Sequence, residues 1–198
     1  MPRKRGRLIA IEGIDQAGKR TQADFLAAHV RRERRRVTVW DFPDYTTRLG
    51  KQLKAYLGGK VRLDARAVHL LYAANKWEVA AELSRRLGRG EVVIVNRYTP
   101  SNIAYGLAHG LPRRWLVSLE EGLPKPDRVV VLDISPRTSL WRKRSGRDVH
   151  EDDLAYLNKV RREYLNLAKR YGWTIVDGGG DPETVRRMVW AKLAPTLR

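Results

Sequence analysis

The stretch LIAIEGIDQAGKRT, residues 8–21, carries the strongest structural signal of the chain. It opens with four apolar residues that end at Glu12, and helical apolar spacing follows it, so a buried strand is predicted to lead through a turn into a helix. Gly13 and Gly18 stand five residues apart with Lys19 directly behind them, which is the spacing of a phosphate-binding loop. Backbone N–H groups of such a loop point at a phosphate, and the positive end of the helix dipole adds to the attraction. The stretch therefore predicts a site for the phosphates of a nucleotide, with Lys19 along the β- and γ-phosphates.

Arg20 departs from this pattern, because the residue after the lysine usually carries the hydroxyl group that holds Mg²⁺. Thr21 does not simply replace that hydroxyl, since one step along a helix rotates the side chain by about 100°. The alternative interpretation, a glycine-rich turn that merely starts a helix, leaves Lys19 and the two spaced glycines unexplained. We therefore expect a phosphate loop whose contribution to metal binding is weakened.

Strands and helices alternate along the rest of the chain. Apolar runs predict strands at residues 8–11, 37–42, 91–96, 128–134 and 173–176. Helical spacing and capping signals predict helices at about 18–36, 47–57, 64–87 and 152–171, a helix start at 135–136 and a last helix from 181. This alternation predicts a single α/β domain over residues 1–198, with a five-stranded, mainly parallel sheet flanked by helices.

Length and composition exclude several classes of protein. The chain has 198 residues, of which 42% are hydrophobic, enough for one buried core but not for two full domains. It contains no cysteine, which excludes a disulfide scaffold, thiolate metal sites and cysteine catalysis. No apolar run approaches the roughly 20 residues that a membrane span needs, so we expect a cytoplasmic protein.

Positive charge dominates the chain. The 40 Lys and Arg residues outnumber the 22 Asp and Glu residues, for a net charge of +18. Such a surplus is typical of proteins that bind nucleic acid or phosphorylated ligands. Two basic runs, at residues 3–7 and 31–36, have a plainer interpretation as a frayed terminus and a solvated helix face. Abundant arginine without cysteine also favours an origin in a hot environment, that is, a thermophile.

Five motifs follow one another in a specific order and spacing. They lie at residues 12–22, 42–50, 69–78 (HLLYAANKWE), 96–105 (NRYTPSNIAY) and 122–127 (GLPKPD). Together they resemble the thymidylate kinase family of P-loop nucleoside monophosphate kinases, which move a phosphoryl group from ATP to dTMP. The resemblance covers nearly the whole chain and implies a three-layer P-loop NTPase fold with a short arginine-rich lid at about 142–151. It also implies Mg²⁺ as the cofactor with ATP, and a homodimer.

The resemblance implies a set of cations around the transferred phosphoryl group. Lys19 and Arg97 belong to this set. Some family members carry a catalytic arginine in the phosphate loop, where this chain has Gln16, so the lid residues Arg144 and Arg147 are expected to take that role. A basic loop without a catalytic role is the alternative. The expected ATP-binding residues are Gly13, Ile14, Asp15, Gln16, Ala17, Gly18, Lys19, Arg20, Thr21 and Arg142, the last against adenine.

The resemblance also implies which residues bind the phosphate and the sugar of dTMP. Arg97 corresponds to the arginine that grips the dTMP phosphate, and a structural ion pair is the alternative role for this residue. Asp15 corresponds to a carboxylate that bonds the 3′-hydroxyl, and Tyr105 to an aromatic packed under the sugar. The substrate-side segment contributes Phe42-Pro43, followed by Tyr45 where some members carry an arginine near the transferred phosphate.

The resemblance implies residues around the base of dTMP as well. Tyr72 corresponds to an aromatic that stacks on thymine, with a purely structural role in the core as the alternative. Lys76 lies four residues later on the same helix face and replaces an arginine that bonds the base or the phosphate. Ser101 and Asn102 correspond to residues near the pyrimidine edge, where an amide can pair with a carbonyl and a ring N–H.

Asn96 is the second departure that affects the metal, because it replaces the aspartate of the family's Asp-Arg-Tyr motif. With Arg20, it predicts that ATP phosphates and water hold the ion, and no protein metal ligand is assigned. Three functions stay open. They are a thymidylate kinase, a related deoxynucleotide or deoxynucleoside kinase with shifted substrate choice, and a nucleotide- or nucleic-acid-binding protein that has lost catalysis.

Overall fold

The computed structural model describes residues 5–142 and 153–197. Within them one parallel sheet is formed by β1 (Leu8–Glu12), β2 (Val37–Asp41), β3 (Val92–Asn96), β4 (Arg128–Asp133) and β5 (Thr174–Asp177). The strand order is β2-β3-β1-β4-β5. This confirms the predicted α/β fold with a five-stranded sheet, and each strand ends within one residue of its predicted bounds.

Helices connect these strands. In the described ranges they are α1 (Lys19–Arg32), α2 (Arg48–Leu57), α3 (Ala65–Trp77), α4 (Ala80–Gly88), α5 (Thr99–Ala108), α6 (Arg113–Leu119), α7 (Pro136–Arg142), α8 (Leu154–Tyr171) and α9 (Pro182–Leu197). Side-chain caps explain where three of them begin, since Thr47, Asp64 and Asp153 accept hydrogen bonds from the first turns of α2, α3 and α8. None of the described helices is long and apolar enough to cross a membrane.

The helices cover both faces of the sheet. α1 packs against α9, and α5 packs against α8. Right-handed connections between parallel strands put α1 and α9 on one face and α4, α5 and α8 on the other. The central strand β1 is buried along its whole length, which accounts for its unbroken apolar sequence. Because the strands are parallel, the loops after β1, β2 and β3 gather at one edge of the sheet, where such folds bind ligands.

The predicted helix at 64–87 is two helices in the structure. α3 ends at Trp77 and α4 begins at Ala80, and Val79 between them has a non-helical φ of −115°. The Trp77 indole donates a hydrogen bond to the Leu119 carbonyl at 3.2 Å, and the Glu78 carboxylate accepts one from the N–H of Leu49 at 3.3 Å. Contacts to α6 and α2 therefore hold the chain at the break between α3 and α4.

The sequence analysis did not predict α5 as a helix. Every residue from Pro100 to Gly106 is buried, so the segment lacks the polar stripe by which an amphipathic helix is recognised. Gly106 permits a close approach to α6, because a Cβ there would lie 2.4 Å from the Cδ2 of Leu116. α5 is therefore a buried helix that begins directly after the Asn96-Arg97-Tyr98 motif.

The predicted lid lies almost entirely outside the described residues. Arg142 ends α7 and is described, whereas Arg144 and Arg147 fall in the segment 143–152, which is not.

Candidate active site

The phosphate loop between β1 and α1 has the backbone that its glycines require. Gly13 has a φ of +135°, and a Cβ there would lie 2.4 Å from the carbonyl oxygen of Leu132. Gly18 has a φ of +84° and open space around it, so only its backbone conformation calls for glycine. Gln16 also adopts a positive φ, of 59°. The loop is therefore a tight turn that leads directly into the first residue of α1.

Lys19 lies over this loop. Its side chain is buried, and Nζ donates a hydrogen bond to the Ile14 carbonyl at 2.7 Å. The first turn of α1 contains no acidic residue, so the positive end of the helix dipole is not neutralised by its own sequence. The loop thus combines an ammonium group and a helix N-terminus, both of which attract phosphate.

Arg142 closes the other side of the phosphate loop. It donates hydrogen bonds to the Gln16 carbonyl at 3.1 Å and to the Gly178 carbonyl at 3.0 Å. The end of α7 is thereby tied to the phosphate loop and to the loop between β5 and α9.

A cavity of about 440 Å³ opens beside the phosphate loop. All of the substrate-side residues predicted from the sequence line it, namely Asp15, Phe42, Pro43, Tyr45, Tyr72, Lys76, Arg97, Ser101, Asn102 and Tyr105. Five further residues line it to which the sequence analysis gave no substrate role: Asp41, Leu57, Asn75, Asn96 and Tyr98. The volume and the mixed polar and aromatic lining suit a small organic ligand.

Arg97 and Asp15 form an ion pair in this cavity, with Tyr105 as a third partner. Arg97 donates to the Asp15 carboxylate and, at 3.1 Å, to the Tyr105 hydroxyl, which in turn donates to Asp15 Oδ2 at 2.8 Å. Burial alone would raise the pKa of Asp15. The positive charges of Arg97 and Lys19 outweigh that effect and hold the pKa well below its ordinary value. Asp15 is therefore ionised, and its position is set by two hydrogen-bonded neighbours.

Glu12, the last residue of β1, positions the start of α5. Its carboxylate is fully buried and accepts hydrogen bonds from the Tyr98 N–H at 2.8 Å, the Ser101 hydroxyl at 2.6 Å and the Tyr164 hydroxyl at 3.0 Å. Burial raises the pKa of Glu12 against the opposing effects of the Ser101 and Tyr164 hydrogen bonds and of the positive charges of Arg97 and Lys19. Glu12 thus fastens Tyr98 and Ser101, which flank the cavity.

Lys76 reaches the cavity as half of a buried ion pair. Its Nζ lies 3.1 Å from Oε1 of Glu120 and donates to the Tyr72 carbonyl at 2.7 Å, and only 3% and 5% of the two paired side chains are exposed. Removing one partner from such a pair leaves an uncompensated buried charge. Glu120 therefore neutralises Lys76, the residue that the sequence analysis interpreted as the replacement of an arginine.

Asn102 is held by a buried network at the same end of the cavity. Its Nδ2 donates to Oε1 of Glu120 at 2.6 Å and to the His69 carbonyl at 3.2 Å, while its Oδ1 accepts from Nδ1 of His69 at 2.6 Å. Nε2 of His69 lies 3.0 Å from Nδ1 of His109, whose pKa is lowered by burial. Both amide hydrogens of Asn102 are thus engaged within the protein, and Oδ1 keeps one further lone pair. The amide can accept a hydrogen bond from a ligand but has no N–H left to donate.

Arg20, Asp41 and Asn96 form a cluster at the carboxyl ends of β2 and β3, called the Asp41 cluster below. Nδ2 of Asn96 donates to Oδ1 of Asp41 at 2.7 Å, and the Arg20 guanidinium donates to Oδ2 of Asp41. Arg20 also pairs with Asp24 one turn further along α1, at 2.9 Å. Oδ1 of Asn96 is buried and has no hydrogen-bond partner among the residues that the structure describes. Arg20 and Asn96, the two residues that depart from the phosphate-loop kinase pattern, therefore both donate to the Asp41 carboxylate.

A family model described as Thymidylate kinase matches residues 11–189 of the chain. The chain belongs to the thymidylate kinase family. It is 36% identical to the thymidylate kinase of Schizosaccharomyces pombe over 167 residues, which cover 84% of this chain and 79% of that protein. It is 32% identical to the thymidylate kinase of Homo sapiens over 188 residues, which cover 93% and 88% of the two chains.

A solved structure agrees with this assignment. The thymidylate kinase from Candida albicans superimposes with a TM-score of 0.83 at 30% identity and covers 97% of this chain and 92% of that one. The chain is therefore an enzyme of the kinase class with the P-loop NTPase fold, as the sequence motifs predicted. The comparisons do not bear on a thermophilic origin, which stays a prediction.

Three carboxylates of this thymidylate kinase site were missed in the sequence analysis. Glu12 had a signal, since it is a charged residue that ends an otherwise apolar strand. Asp41 had a weaker one, because it ends β2 as Asn96 ends β3. Glu120 had none, because it lies 44 residues from Lys76 along the chain and nothing in the motifs connects the two.

Proposed function

We propose that the enzyme transfers the γ-phosphoryl group of ATP to dTMP, giving dTDP and ADP for dTTP synthesis. One observation carries the proposal. Asp15 belongs to the phosphate loop and also lines the substrate cavity, where it is bonded to Arg97. ATP phosphates on the loop and a nucleotide in the cavity would therefore bind next to each other. Holding both reactants in this way removes much of the entropic barrier to their reaction.

The donor, ATP, binds at the loop of residues 13–18 and the first turn of α1. Lys19 supplies positive charge at the β- and γ-phosphates, and Arg20 and Thr21 continue the helix behind it. Arg142 is fixed by the carbonyls of Gln16 and Gly178, so the face of its guanidinium can stack on adenine.

The phosphate and sugar of dTMP bind at the Arg97 end of the cavity. A guanidinium has five N–H donors, and Asp15, Tyr105 and Ser101 take three contacts, so donors are left for the acceptor phosphate. Asp15 and Tyr105, already joined by a hydrogen bond, lie where the sugar follows the phosphate. Phe42, Pro43 and Tyr45 close the cavity from the β2 side.

The base binds at the Lys76 end. Nζ of Lys76 has one N–H beyond its contacts with Tyr72 and Glu120, and Oδ1 of Asn102 has one acceptor site beyond His69. A donor beside an acceptor suits a pyrimidine with a carbonyl next to a ring N–H, as in thymine. Cytosine presents an amino group and a ring acceptor there, so we expect dCMP to be a poor substrate.

The lid completes the set of catalytic cations. The charge of the transferring phosphoryl group is spread over three oxygens, and Lys19 and Arg97 approach it from the protein core. We assign the remaining contacts to Arg144 and Arg147, because Gln16 cannot supply a positive charge from the loop. Changing each lid arginine to alanine should lower kcat more than it raises the KM for dTMP, since the contact forms in the transition state.

Mg²⁺ is the proposed cofactor with ATP, and the residues present fit it in part. Asp41 and the unpartnered Oδ1 of Asn96 are oxygen donors of the kind that Mg²⁺ prefers, whereas Arg20 replaces a hydroxyl with a cation. This donor set would suit an ion that is held mainly by ATP phosphates and water, and Asp41 and Asn96 would offer it oxygen atoms. When bound, the ion neutralises charge on the β- and γ-phosphates.

The deciding experiment measures ADP release from ATP and Mg²⁺ with dTMP, dUMP, dCMP, thymidine or no acceptor. Turnover that depends on dTMP is the expected result. Preferential turnover of another acceptor would support the related kinase with shifted substrate choice. Binding of dTMP without turnover, together with tight and salt-sensitive binding of random DNA, would support the nucleotide- or nucleic-acid-binding protein instead.

Exposed apolar residues support a homodimer. Leu70 and Trp77 lie seven residues apart on one face of α3, with 49% and 45% of their surfaces exposed, and Val117 of the neighbouring α6 is exposed as well. Exposed apolar side chains on two neighbouring helices are typical of an interface between subunits. Sedimentation equilibrium should give twice the mass of the chain, and Leu70→Glu should shift it toward the monomer.

The high arginine content and the lack of cysteine support an origin in a hot environment. Thermal unfolding checks this. The expected midpoint lies above the range of about 45–65 °C in which mesophile domains cluster.

A further inference from the structure

The neighbouring strands β2 and β3 end in Asp41 and Asn96, a carboxylate and the corresponding amide. β2 and β3 pair in parallel with Asp41 opposite Asn96, so both side chains leave the sheet at the same edge. Their side chains are joined by the 2.7 Å hydrogen bond from Asn96 to Asp41. The family's motif has its carboxylate at the end of β3, at position 96. In this chain the carboxylate is Asp41 at the end of β2, within hydrogen-bond distance of residue 96.

Asn96 is oriented as an oxygen donor. Its Nδ2 donates to Asp41, and this contact directs Oδ1 the other way, where it is buried without a partner in residues 5–142 and 153–197. A buried carbonyl oxygen without a hydrogen bond is costly, so the position calls for a donor such as a metal-bound water. Both Asp41 and Asn96 line the substrate cavity.

Arg20 competes weakly for the same carboxylate. Its ion pair with Asp41 is open to water, with 57% and 40% of the two side chains exposed, and pairs of this kind contribute little to stability. Arg20 has a second partner in Asp24, and the hydrogen bond to Asp24 is the largest of the contacts that raise its pKa. Arg20 can therefore leave Asp41 without losing its compensating charge.

We propose that Asp41 takes the place of the missing aspartate at position 96 and holds the water shell of the nucleotide-bound divalent cation, with Oδ1 of Asn96 as the second oxygen. The inference rests on the proposed use of ATP with Mg²⁺. Asp41 is a positioning residue in this scheme, because it acts on the ion through water. Arg20 neutralises Asp41 when no metal ion is bound. With Asp41 in place of the aspartate at position 96, one carboxylate remains at this edge of the sheet.

The test measures how much Mg²⁺ strengthens the binding of a non-hydrolysable ATP analogue. Isothermal titration gives the Kd of the analogue with Mg²⁺ and with EDTA for the full chain. In the wild type, Mg²⁺ should tighten binding, and Asp41→Asn should raise the Kd with Mg²⁺ by about 10-fold, the loss typical of a removed residue that supports a metal site. The Kd in EDTA should stay the same or fall.

Two further variants separate a metal role from a structural one. Asp24→Asn is the matched control, because Asp24 also pairs with Arg20 but, unlike Asp41, does not line the cavity, and the Kd of this variant with Mg²⁺ should match the wild type. The double variant Asp41→Asn with Asn96→Asp moves the carboxylate back by one strand and should recover most of the lost affinity. Thermal unfolding of each variant shows that the fold is intact.

The outcomes are distinct. An unchanged Kd with Mg²⁺ in Asp41→Asn, with tighter binding in EDTA alone, would mean that Asp41 only neutralises Arg20 and would overturn the inference. The inference would also be overturned if Asp24→Asn weakened analogue binding with Mg²⁺ as much as Asp41→Asn does. It would be overturned as well if the double variant did not recover the lost affinity. If Mg²⁺ does not strengthen binding to the wild type at all, then the proposed cofactor fails and the inference falls with it.

Discussion

Two pairs of a carboxylate and a guanidinium, Asp15–Arg97 and Asp41–Arg20, differ in their contact with water, and Asp15, Arg97 and Asp41 line the substrate cavity. In the first pair 18% and 16% of the side chains are exposed, and in the second 40% and 57%. Each carboxylate has one further polar partner, Tyr105 for Asp15 and Asn96 for Asp41. The two regions thus use similar groups in environments of different polarity.

This difference separates a fixed contact from an adjustable one. Charges removed from water interact strongly and cannot be separated without a large cost, so Asp15 and Arg97 form a preorganised anion site. Charges at the surface are screened, and the energy that holds them together is small. Asp41 can therefore exchange Arg20 for another cation, whereas Asp15 cannot readily exchange Arg97.

Arg97→Ala should have the largest effect. It removes the expected donor to the acceptor phosphate and leaves the Asp15 carboxylate buried without its cation. We expect kcat/KM for dTMP to fall by about 10²–10³-fold, as for the loss of one preorganised donor. The free energy of unfolding should fall by about 3 kcal/mol, as for a broken buried pair. Steady-state kinetics and urea unfolding measure both, and losses no larger than those of Arg20→Ala would show that burial does not distinguish the two pairs.

Asp15→Asn should have a smaller effect that depends on pH. The folded-state pKa of Asp15 lies below its ordinary value, so its charge stabilises the fold above about pH 4 and loses that effect as the pH falls toward the folded-state pKa. Wild type should therefore be more stable than the variant at pH 7, by about 2–3 kcal/mol, and the gap should narrow at pH 3. Urea unfolding at the two pH values checks this, and a gap that widens at low pH would contradict the lowered pKa.

Arg20→Ala should have the smallest effect on stability. Both of its ion pairs, with Asp24 and Asp41, are more than one third exposed, so we expect a change below about 1 kcal/mol. The change should also shrink in 1 M salt, where exposed charges are screened. Urea unfolding at low and high salt measures it, and a salt-independent loss of several kcal/mol would mean that the Asp41 cluster is as rigid as the Asp15 pair.

The phosphate loop and the strands were predictable because their signals are local. Gly13, Gly18 and Lys19 lie within seven consecutive residues, and the backbone that they adopt depends on little beyond that segment. β1, β3 and β4 are buried over most of their length, so an unbroken apolar run identifies each of them. β2 is half-buried and β5 partly exposed, and their shorter apolar runs were still sufficient. The family motifs then brought the substrate-side residues to one cavity by resemblance.

The helix α5 could not be predicted, because it has no local signal of this kind. Helices are recognised by an apolar stripe on a polar background, and the burial of 100–106 on all sides removes that contrast. The break between α3 and α4 has a related cause, since the apolar spacing continues through it. Contacts of Trp77 and Glu78 with other helices, rather than a glycine or proline, mark the boundary.

The phosphate loop, the five strands and the family of the chain could be predicted from the sequence, because each depends on residues that are near one another or on motifs in a set order. Which charged side chains pair with one another became visible in the folded structure. Asp15 with Arg97, Lys76 with Glu120 and Asp41 with Asn96 are 82, 44 and 55 residues apart along the chain. Asp15 meets Arg97, and Asp41 meets Asn96, because parallel strands deliver their ends to one edge of the sheet. Lys76 meets Glu120 because α3 packs against α6. Both arrangements depend on the packing of the whole core.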